Sequence, residues 1–166
     1  MPNQPAKAKV FLIDDHPLVR EHLSSLLQAE PDLSVCGTAA DAPMALALIG
    51  TCRPDLVILD VSLKHFNGLD LLKDLRQLLP GLRVLVLSMH DEPRYAERAL
   101  RDGAFGYITK EEASVDVLTA VRQVLTGQVY LSARMAGRLR QKTVASAVGR
   151  VLTSPTDAQA DEHPKV

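Results

Sequence analysis

The sequence predicts an α/β protein with a doubly wound parallel sheet, and three observations support this fold class. From Lys9 to about Gly127, short runs of β-branched and leucine residues alternate with longer amphipathic runs. Three of the short runs are almost continuously hydrophobic, as expected for strands that helices cover on both faces. The longer runs carry apolar residues at helical spacing. Together these features predict five strand and helix units.

The five strands are predicted in chain order at 9–14 (KVFLID), 34–39, 55–60 (DLVILD), 83–88 (RVLVLS) and 105–110 (FGYITK). Pro17 suits the first turn of the first helix. Three of the helices show an apolar stripe at i, i+4, i+7 and i+8. These stripes are Val19, Leu23, Leu26 and Leu27; Leu71, Leu75, Leu78 and Leu79; and Val117, Val121, Val124 and Leu125.

The organisation of the chain follows from where this pattern begins and ends. We expect an N-terminal tail over 1–8, a folded domain over 9–127 and an extension over 128–147. Ser132 is a predicted cap for a short helix in that extension, which ends near Lys142 and turns Met135 and Leu139 inward. Residues 148–166 are polar and lack periodicity, so they are predicted to be a linker or a disordered tail.

Composition and charge exclude several classes of protein. The 166 residues carry a net charge of −1, and no apolar run approaches the ~18 residues of a membrane span or forms a signal-peptide core. We therefore expect a soluble cytoplasmic protein without membrane contact. The six basic and no acidic residues of 117–156 are interpreted as a solvated helix face. Cys36 and Cys52 lack metal-ligand spacing and are predicted to be buried thiols.

Polar side chains stand where the predicted strands end. Asp14 and Asp15 end the first strand, Asp60 the third, Ser88 the fourth and Lys110 the fifth. Because the carboxyl ends of parallel strands lie along one edge of the sheet, where ligands of such folds bind, these side chains are predicted to form one site.

The charges of this site predict its chemistry. At an effective dielectric near 20, two carboxylates ~4 Å apart repel by roughly 4 kcal/mol, so three of them call for a cation. Oxygen ligands with open positions suit Mg²⁺. With Lys110 as a second positive charge and Ser88 as a donor, the site is arranged to place a phosphoryl group on Asp60.

Several motifs in combination resemble a known family. They are the Asp14-Asp15 pair after a hydrophobic strand, LVILD ending at Asp60, Gly68 in HFNGLDLL, VLSMHDE with Ser88, and GYITK with Tyr107 and Lys110. Residues 9 to about 127 resemble the receiver domain of two-component response regulators. IDDHPLVR, LSMHDE and VYLSAR resemble the NarL/FixJ branch, whose members usually carry a C-terminal LuxR-type helix-turn-helix.

The resemblance implies a flavodoxin-like receiver sheet of strand order 2-1-3-4-5 and a role for each matching residue. Asp60 would be the phospho-acceptor and would ligate Mg²⁺ together with Asp15 and the backbone carbonyl of Ser62. Asp14 would be an outer-shell ligand. The remaining implied residues are Ser88 and Lys110, which would contact the phosphoryl group, and Tyr107, which would change rotamer on activation with Ser88.

The resemblance also implies a function and partners. A sensor histidine kinase would phosphorylate Asp60, and phosphorylation would favour a homodimer that controls transcription. The chain would not be an enzyme beyond self-phosphorylation and autodephosphorylation. After Val148 only eighteen residues remain, too few for a helix-turn-helix. We therefore expect DNA binding only through a C-terminal domain missing from these residues.

Alternatives remain open at this point. An Mg²⁺-dependent aspartyl phosphatase would need a second aspartate two residues after the nucleophile, where Ser62 stands. A flavin module would need a hydroxyl-rich phosphate loop, and a stand-alone receiver would act by protein contact. Asp14 and Asp15 could merely cap the first helix.

Two further residues are expected at the rim of the pocket, and three positions differ from the family pattern. His16 and His90 are expected at the pocket rim. Three positions depart from the receiver pattern: Glu111 and Lys64 stand where proline is frequent, and Met89 is larger than usual and is expected to narrow access to Asp60.

Overall fold

The structure is a computed structural model that describes residues 5–63 and 67–144. The elements follow in the order β1 (Ala8–Ile13), α1 (Pro17–Gln28), β2 (Leu33–Ala39), α2 (Ala42–Cys52), β3 (Leu56–Asp60), α3 (Gly68–Leu78), β4 (Arg83–Ser88), α4 (Pro93–Arg101), β5 (Gly106–Thr109), α5 (Lys110–Leu125) and β6 (Tyr130–Leu131). The five predicted strands are confirmed to within one residue at each end.

In the described part of the chain, six strands form one parallel sheet of order β2-β1-β3-β4-β5-β6. The predicted order 2-1-3-4-5 is confirmed, but the prediction of five strands was wrong by one. The additional strand β6 pairs Tyr130 with Gly106 and Leu131 with Tyr107. Two residues are too few to produce a periodic pattern, so this strand could not be predicted from the pattern of apolar residues.

The core lies on both faces of the sheet. On one face, Val10 and Ile58 pack with Leu23 of α1 and Val121 of α5. Because successive strand residues point to opposite faces, Phe11 and its register neighbours face the other layer, where α2 and α3 contact each other. Helices on both faces explain why the central strands are hydrophobic throughout.

The apolar stripe predicted for α3 is buried only in part: Leu71 and Leu75 are buried, whereas Leu78, the last residue of the helix, is half exposed. One sequence expectation about the helices was wrong. Lys110 was placed at the end of a strand, but it is the first residue of α5. The reason is a capping box: Thr109 Oγ1 accepts from the Glu112 backbone N–H, and Glu112 Oε1 accepts from the Thr109 backbone N–H.

The chain divides into two compact units between Ser132 and Ala133. The second unit contains a helix over 133–144, where the sequence predicts one from Ser132 to Lys142. The predicted linker over 148–166 and the residue Lys64 lie outside the described residues. Within the described ranges, no helix is both long enough and apolar enough to cross a lipid bilayer.

Candidate functional site

A cluster of acidic side chains occupies the carboxyl edge of the sheet. Asp14 and Asp15 follow β1, and Asp60 is the last residue of β3. One ligand atom from each of these carboxylates and from His16 lies within 4.8 Å of the others. The structure therefore brings together the three carboxylates that the sequence singles out. We call Asp14, Asp15, His16, Asp60 and Lys110 the site cluster.

Asp60 is fully buried, and both of its carboxylate oxygens have partners. Oδ1 accepts from the Ser62 backbone N–H at 2.8 Å, and Oδ2 accepts from Lys110 Nζ at 2.9 Å. Burial raises the pKa of Asp60, and the nearby Asp14 raises it further, although Lys110 and Ser62 oppose these effects. One ammonium group thus leaves the carboxylates of the cluster without full charge compensation.

Lys110 lies at the centre of the charged groups. Its Nζ is 2.9 Å from Asp60 Oδ2, 3.6 Å from Asp14 Oδ2 and 3.2 Å from His16 Nδ1. The capping box fixes the first turn of α5, and Glu111 occupies that turn, where a negative charge is favourable. Glu111 stands where proline is common in receivers. Despite this difference, Lys110 contacts Asp60.

The donor set fits Mg²⁺. Asp14 Oδ2 is buried and accepts no hydrogen bond from the described residues, so an oxygen with unused lone pairs lies beside Asp60 and Lys110. Asp14 Oδ1 accepts from the His16 backbone N–H at 2.8 Å. The backbone carbonyl of Asp14 accepts from Arg20 Nη1 at 2.6 Å. Clustered carboxylate oxygens with an open position are the ligands that Mg²⁺ takes in proteins.

His16 lies inside this cluster, which the sequence analysis missed. Its Nδ1 is 3.0 Å from Asp14 Oδ1, 3.0 Å from Asp15 Oδ1 and 3.8 Å from Asp60 Oδ2, while half of the side chain remains exposed. His16 is also the N-cap residue of α1 and makes no side-chain capping bond. Asp14 and Asp15 therefore do not hold the N-cap position. The signal for His16 was its place directly after the aspartate pair and before Pro17.

A second group of polar residues ends the neighbouring strand. Asp60 pairs with Leu87, so Ser88 lies one residue further along the adjacent strand β4. Ser88 is buried, and its Oγ accepts from the His90 backbone N–H at 3.0 Å. Met89, expected to narrow access to Asp60, is largely exposed.

Tyr107 joins this group from β5. Its side chain is 2% exposed, and its OH donates to the His90 carbonyl at 2.5 Å. Burial raises the pKa of Tyr107, so the phenol remains a donor at neutral pH. The two polar backbone groups of His90 are thus bound to the two residues that the sequence analysis assigns to the switch.

The His90 side chain extends the group to α4. Its ring stacks on Tyr95 with centroids 4.3 Å apart and planes inclined by 19°. His90 was expected only at the pocket rim. The stacking of His90 on Tyr95 could not be predicted from the sequence, because it depends on how the loop after β4 folds.

Gly68 brings α3 against the chain that follows Asp60. A Cβ atom at Gly68 would lie 2.3 Å from Val61 Cα, so only glycine fits there. Asn67 caps the helix by accepting from the Leu69 backbone N–H at 2.9 Å. The glycine of the HFNGLDLL motif therefore has a packing role beside the site.

The family model for the response regulator receiver domain matches residues 10–122. The chain belongs to this family. The receiver is 38% identical over 139 residues to the DNA-binding transcriptional activator DevR/DosR of Mycobacterium tuberculosis, covering 84% of this chain and 64% of the activator. It is 35% identical to the nitrate/nitrite response regulator protein NarL of Escherichia coli, covering 75% of this chain and 58% of that relative.

A solved structure is similar over most of the receiver. It is a two-component response regulator of the LuxR family from an Aurantimonas species, with 32% identity and a TM-score of 0.79, and the match covers 84% of this chain and 99% of that one. The resemblance to the NarL branch and the receiver fold are thereby confirmed. The chain spans less than two thirds of the length of the curated relatives described above.

Proposed function

We propose that this receiver accepts a phosphoryl group on Asp60 from a phosphohistidine of a sensor kinase. A carboxylate oxygen of Asp60 bonds to phosphorus, the phosphorus–nitrogen bond breaks, and the released imidazole takes up a proton. The observation that carries the proposal is the buried Asp60 carboxylate, which Lys110 binds at 2.9 Å among two further carboxylates. A carboxylate placed in this way can act as a nucleophile whose product charge is stabilised locally.

Mg²⁺ is the cofactor that we propose for this site. Asp15, Asp60 and the backbone carbonyl of Ser62 would hold the ion, with Asp14 in the outer shell. When bound, the ion supplies positive charge that offsets the negative charge of the carboxylates and of an incoming phosphoryl group. The unused lone pairs of Asp14 Oδ2 support this assignment.

Lys110 and Ser88 are proposed to bind the phosphoryl oxygens. Lys110 Nζ already contacts Asp60 Oδ2, and Ser88 ends the strand next to that of Asp60. If Ser88 Oγ turns to a phosphoryl oxygen, the His90 backbone N–H loses its acceptor. Because Tyr107 and Tyr95 both contact His90, the loop after β4 and the start of α4 would then change.

An apolar groove supports a protein as the phosphodonor. Leu18 and Val19 of α1 and Ala113 and Ser114 of α5 line a cavity of about 200 Å³ that reaches Lys110. Leu18 is 79% exposed, so its side chain is available to a partner surface. We propose that the sensor kinase contacts this groove.

We propose control of transcription as the output of the protein that contains this receiver. Its relative in Mycobacterium tuberculosis is a DNA-binding transcriptional activator. We further propose that phosphorylation favours a homodimer and that the protein acts in the cytoplasm. Turnover of phosphomonoesters is not proposed, because Ser62 offers no carboxyl group to protonate a leaving group.

Phosphodonor labelling with intact-mass analysis tests the acceptor. Acetyl phosphate with Mg²⁺ should add one phosphoryl group per chain, and Asp60→Asn or excess chelator should abolish the addition. Asp74→Asn, an exposed position on α3, is the matched control and should label like the parent. Equal labelling of Asp60→Asn and the parent would show that the acceptor lies elsewhere.

Sedimentation velocity tests the switch. Beryllofluoride, which mimics a phosphoryl group on a carboxylate, should raise the dimer fraction of the parent. Tyr107→Phe removes the donor to the His90 carbonyl and should alter that increase without preventing labelling of Asp60. An unchanged sedimentation coefficient in protein shown to be loaded would contradict phosphorylation-dependent dimerisation.

A further inference from the structure

The two cysteines, which the phosphoryl site does not use, lie next to each other. Cys36 is the extra residue of a β-bulge, because the register passes from Val10 opposite Val35 to Phe11 opposite Gly37. The backbone of Cys36 therefore has no ladder partner in β1. Cys52 is the last residue of α2, sixteen positions further along the chain.

The thiol of Cys52 contacts the backbone of the bulge. Its Sγ lies 3.3 Å from the Cys36 carbonyl oxygen and donates to it. A Cβ atom at Gly37 would lie 3.0 Å from Cys52 Sγ, so a larger residue would crowd the cysteine side chain. Both cysteines are free, and each is partly accessible to solvent.

We propose that Cys36 and Cys52 form a dithiol site that a peroxide oxidises to an intramolecular disulfide. From the sequence, the two cysteines are predicted to be separate buried thiols. Their pairing could not be predicted, because a spacing of sixteen residues matches no dithiol motif. The inference is independent of the phosphoryl chemistry of Asp60.

The reaction balances as a two-electron oxidation. The sulfur of one cysteine attacks an oxygen of the peroxide, the O–O bond breaks, and an alcohol or water leaves with a sulfenic acid formed. The second sulfur attacks the first, an S–S bond forms, and water leaves. Both thiol protons are lost, the two sulfurs give up two electrons, and the peroxide gains them.

The two thiols can react with each other within one chain. Burial raises the pKa of Cys36, and the neighbouring Cys52 raises it further. Whichever sulfur is oxidised first, the other cysteine lies close by, because Cys52 Sγ contacts the Cys36 carbonyl oxygen. The second sulfur therefore resolves the sulfenic acid in a step that is fast because it is intramolecular.

Oxidation would change the fold locally. The Cys36 carbonyl of the bulge would lose the S–H donor, and the end of α2 would be tied covalently to β2. Disulfides of this kind in reducing compartments are transient, so a dithiol reductant should restore the hydrogen-bonded pair.

Peptide mapping of the full chain tests the proposal. After exposure to hydrogen peroxide, the mass should fall by two hydrogens, both titratable thiols should be lost, and dithiothreitol should restore them. Trypsin leaves both cysteines in one peptide, whereas cleavage before Asp41 separates them. The peptides 32–40 and 41–54 should therefore migrate as one species until they are reduced.

Two cysteine variants and one control test the pairing. Cys36→Ser and Cys52→Ser should each fail to form the intramolecular disulfide and should instead accumulate a sulfenic acid at the remaining cysteine, which dimedone traps. Asp60→Asn should oxidise like the parent, because the acceptor takes no part. Retention of both thiols after peroxide, addition of oxygen without cross-linking, or disulfide formation only between two chains would overturn the proposal.

Discussion

Two groups of acidic residues in this receiver share their residue types but differ in how their charge is compensated. In the site cluster, three carboxylates face one ammonium group, and Asp60 is fully buried. In the second group, Arg122 binds both Glu30 and Asp32 at the surface, with Nη2 2.5 Å from Glu30 and 2.9 Å from Asp32. We call Glu30, Asp32 and Arg122 the surface cluster.

The pKa directions follow from this difference. The pKa of Asp60 is raised, mainly by burial, whereas the pKa of Asp32 is lowered, mainly by its hydrogen bond to Arg122. Acidic clusters of similar composition can therefore have different roles, depending on their burial and on the positive charge beside them. An exposed group with a bidentate arginine is an ion pair, while a buried group with excess negative charge is a candidate place for a cation.

The largest effect is expected when the positive charge of each cluster is removed. Lys110→Met should slow labelling of Asp60 by acetyl phosphate by about 100-fold, because the charge on the phosphoryl oxygens loses a fixed partner. Arg122→Met should leave the rate within about twofold of the parent, since it contacts neither Asp60 nor its neighbours. Labelling rates from intact mass at matched Mg²⁺ concentration provide the measurement, and equal slowing by both variants would break the distinction.

Mg²⁺ should stabilise the folded receiver only by binding to the site cluster. Saturating Mg²⁺ is expected to raise the Tm of the parent by about 5 °C, because it binds the folded state alone. Asp15→Asn should lose most of this increase, and Asp32→Asn should keep it. The measurement is a thermal unfolding titration with MgCl₂ against an equal ionic strength of NaCl. A shift that survives in Asp15→Asn would remove that residue from the ligand set.

In chelator, loss of one negative charge should have opposite signs in the two clusters. Asp15→Asn removes repulsion and should raise the Tm by about 2 °C, while Asp32→Asn removes attraction to Arg122 and should lower it by about 1 °C. Differential scanning calorimetry in low salt measures both, and added salt should shrink the Asp32 effect more. Changes of the same sign would show that the site cluster is already compensated.

The smallest effects concern pH. Because the folded-state pKa of Asp32 is below its ordinary value of 3.8, its stabilisation is present above that pH and is lost as the pH falls through the lowered pKa. The Tm deficit of Asp32→Asn should therefore shrink below about pH 4. For Asp60 the raised pKa reverses the sign: the metal-free parent should lose stability relative to Asp60→Asn as the pH rises above 3.8. Unfolding curves in chelator at several pH values would reveal either trend.

Much of the receiver fold and of the site could be predicted because the information is local. The strands are short hydrophobic runs, and Asp14, Asp15 and Asp60 stand where those runs end, so the meeting of these carboxylates follows from a parallel sheet alone. The error at Lys110 was also local, because the capping box of Thr109 and Glu112 is visible in the sequence but was not applied.

Other features could not be predicted because they depend on tertiary packing. The stack of His90 on Tyr95 requires the folded chain after β4. The contact of Cys36 with Cys52 requires a bulge, whose position depends on the pairing of β1 with β2. Strand β6 has two residues, and pairing rather than periodicity makes it a strand.

The contact of Gly68 with Val61 bears on how the length of this receiver can vary. Because these residues touch, the two ends of the segment that joins them lie close together. A segment whose ends are held together can gain residues at a cost in closure entropy that grows only slowly with length. Insertions between Leu63 and Asn67 should therefore leave Asp60 and α3 in place, so this segment can lengthen without loss of the acceptor.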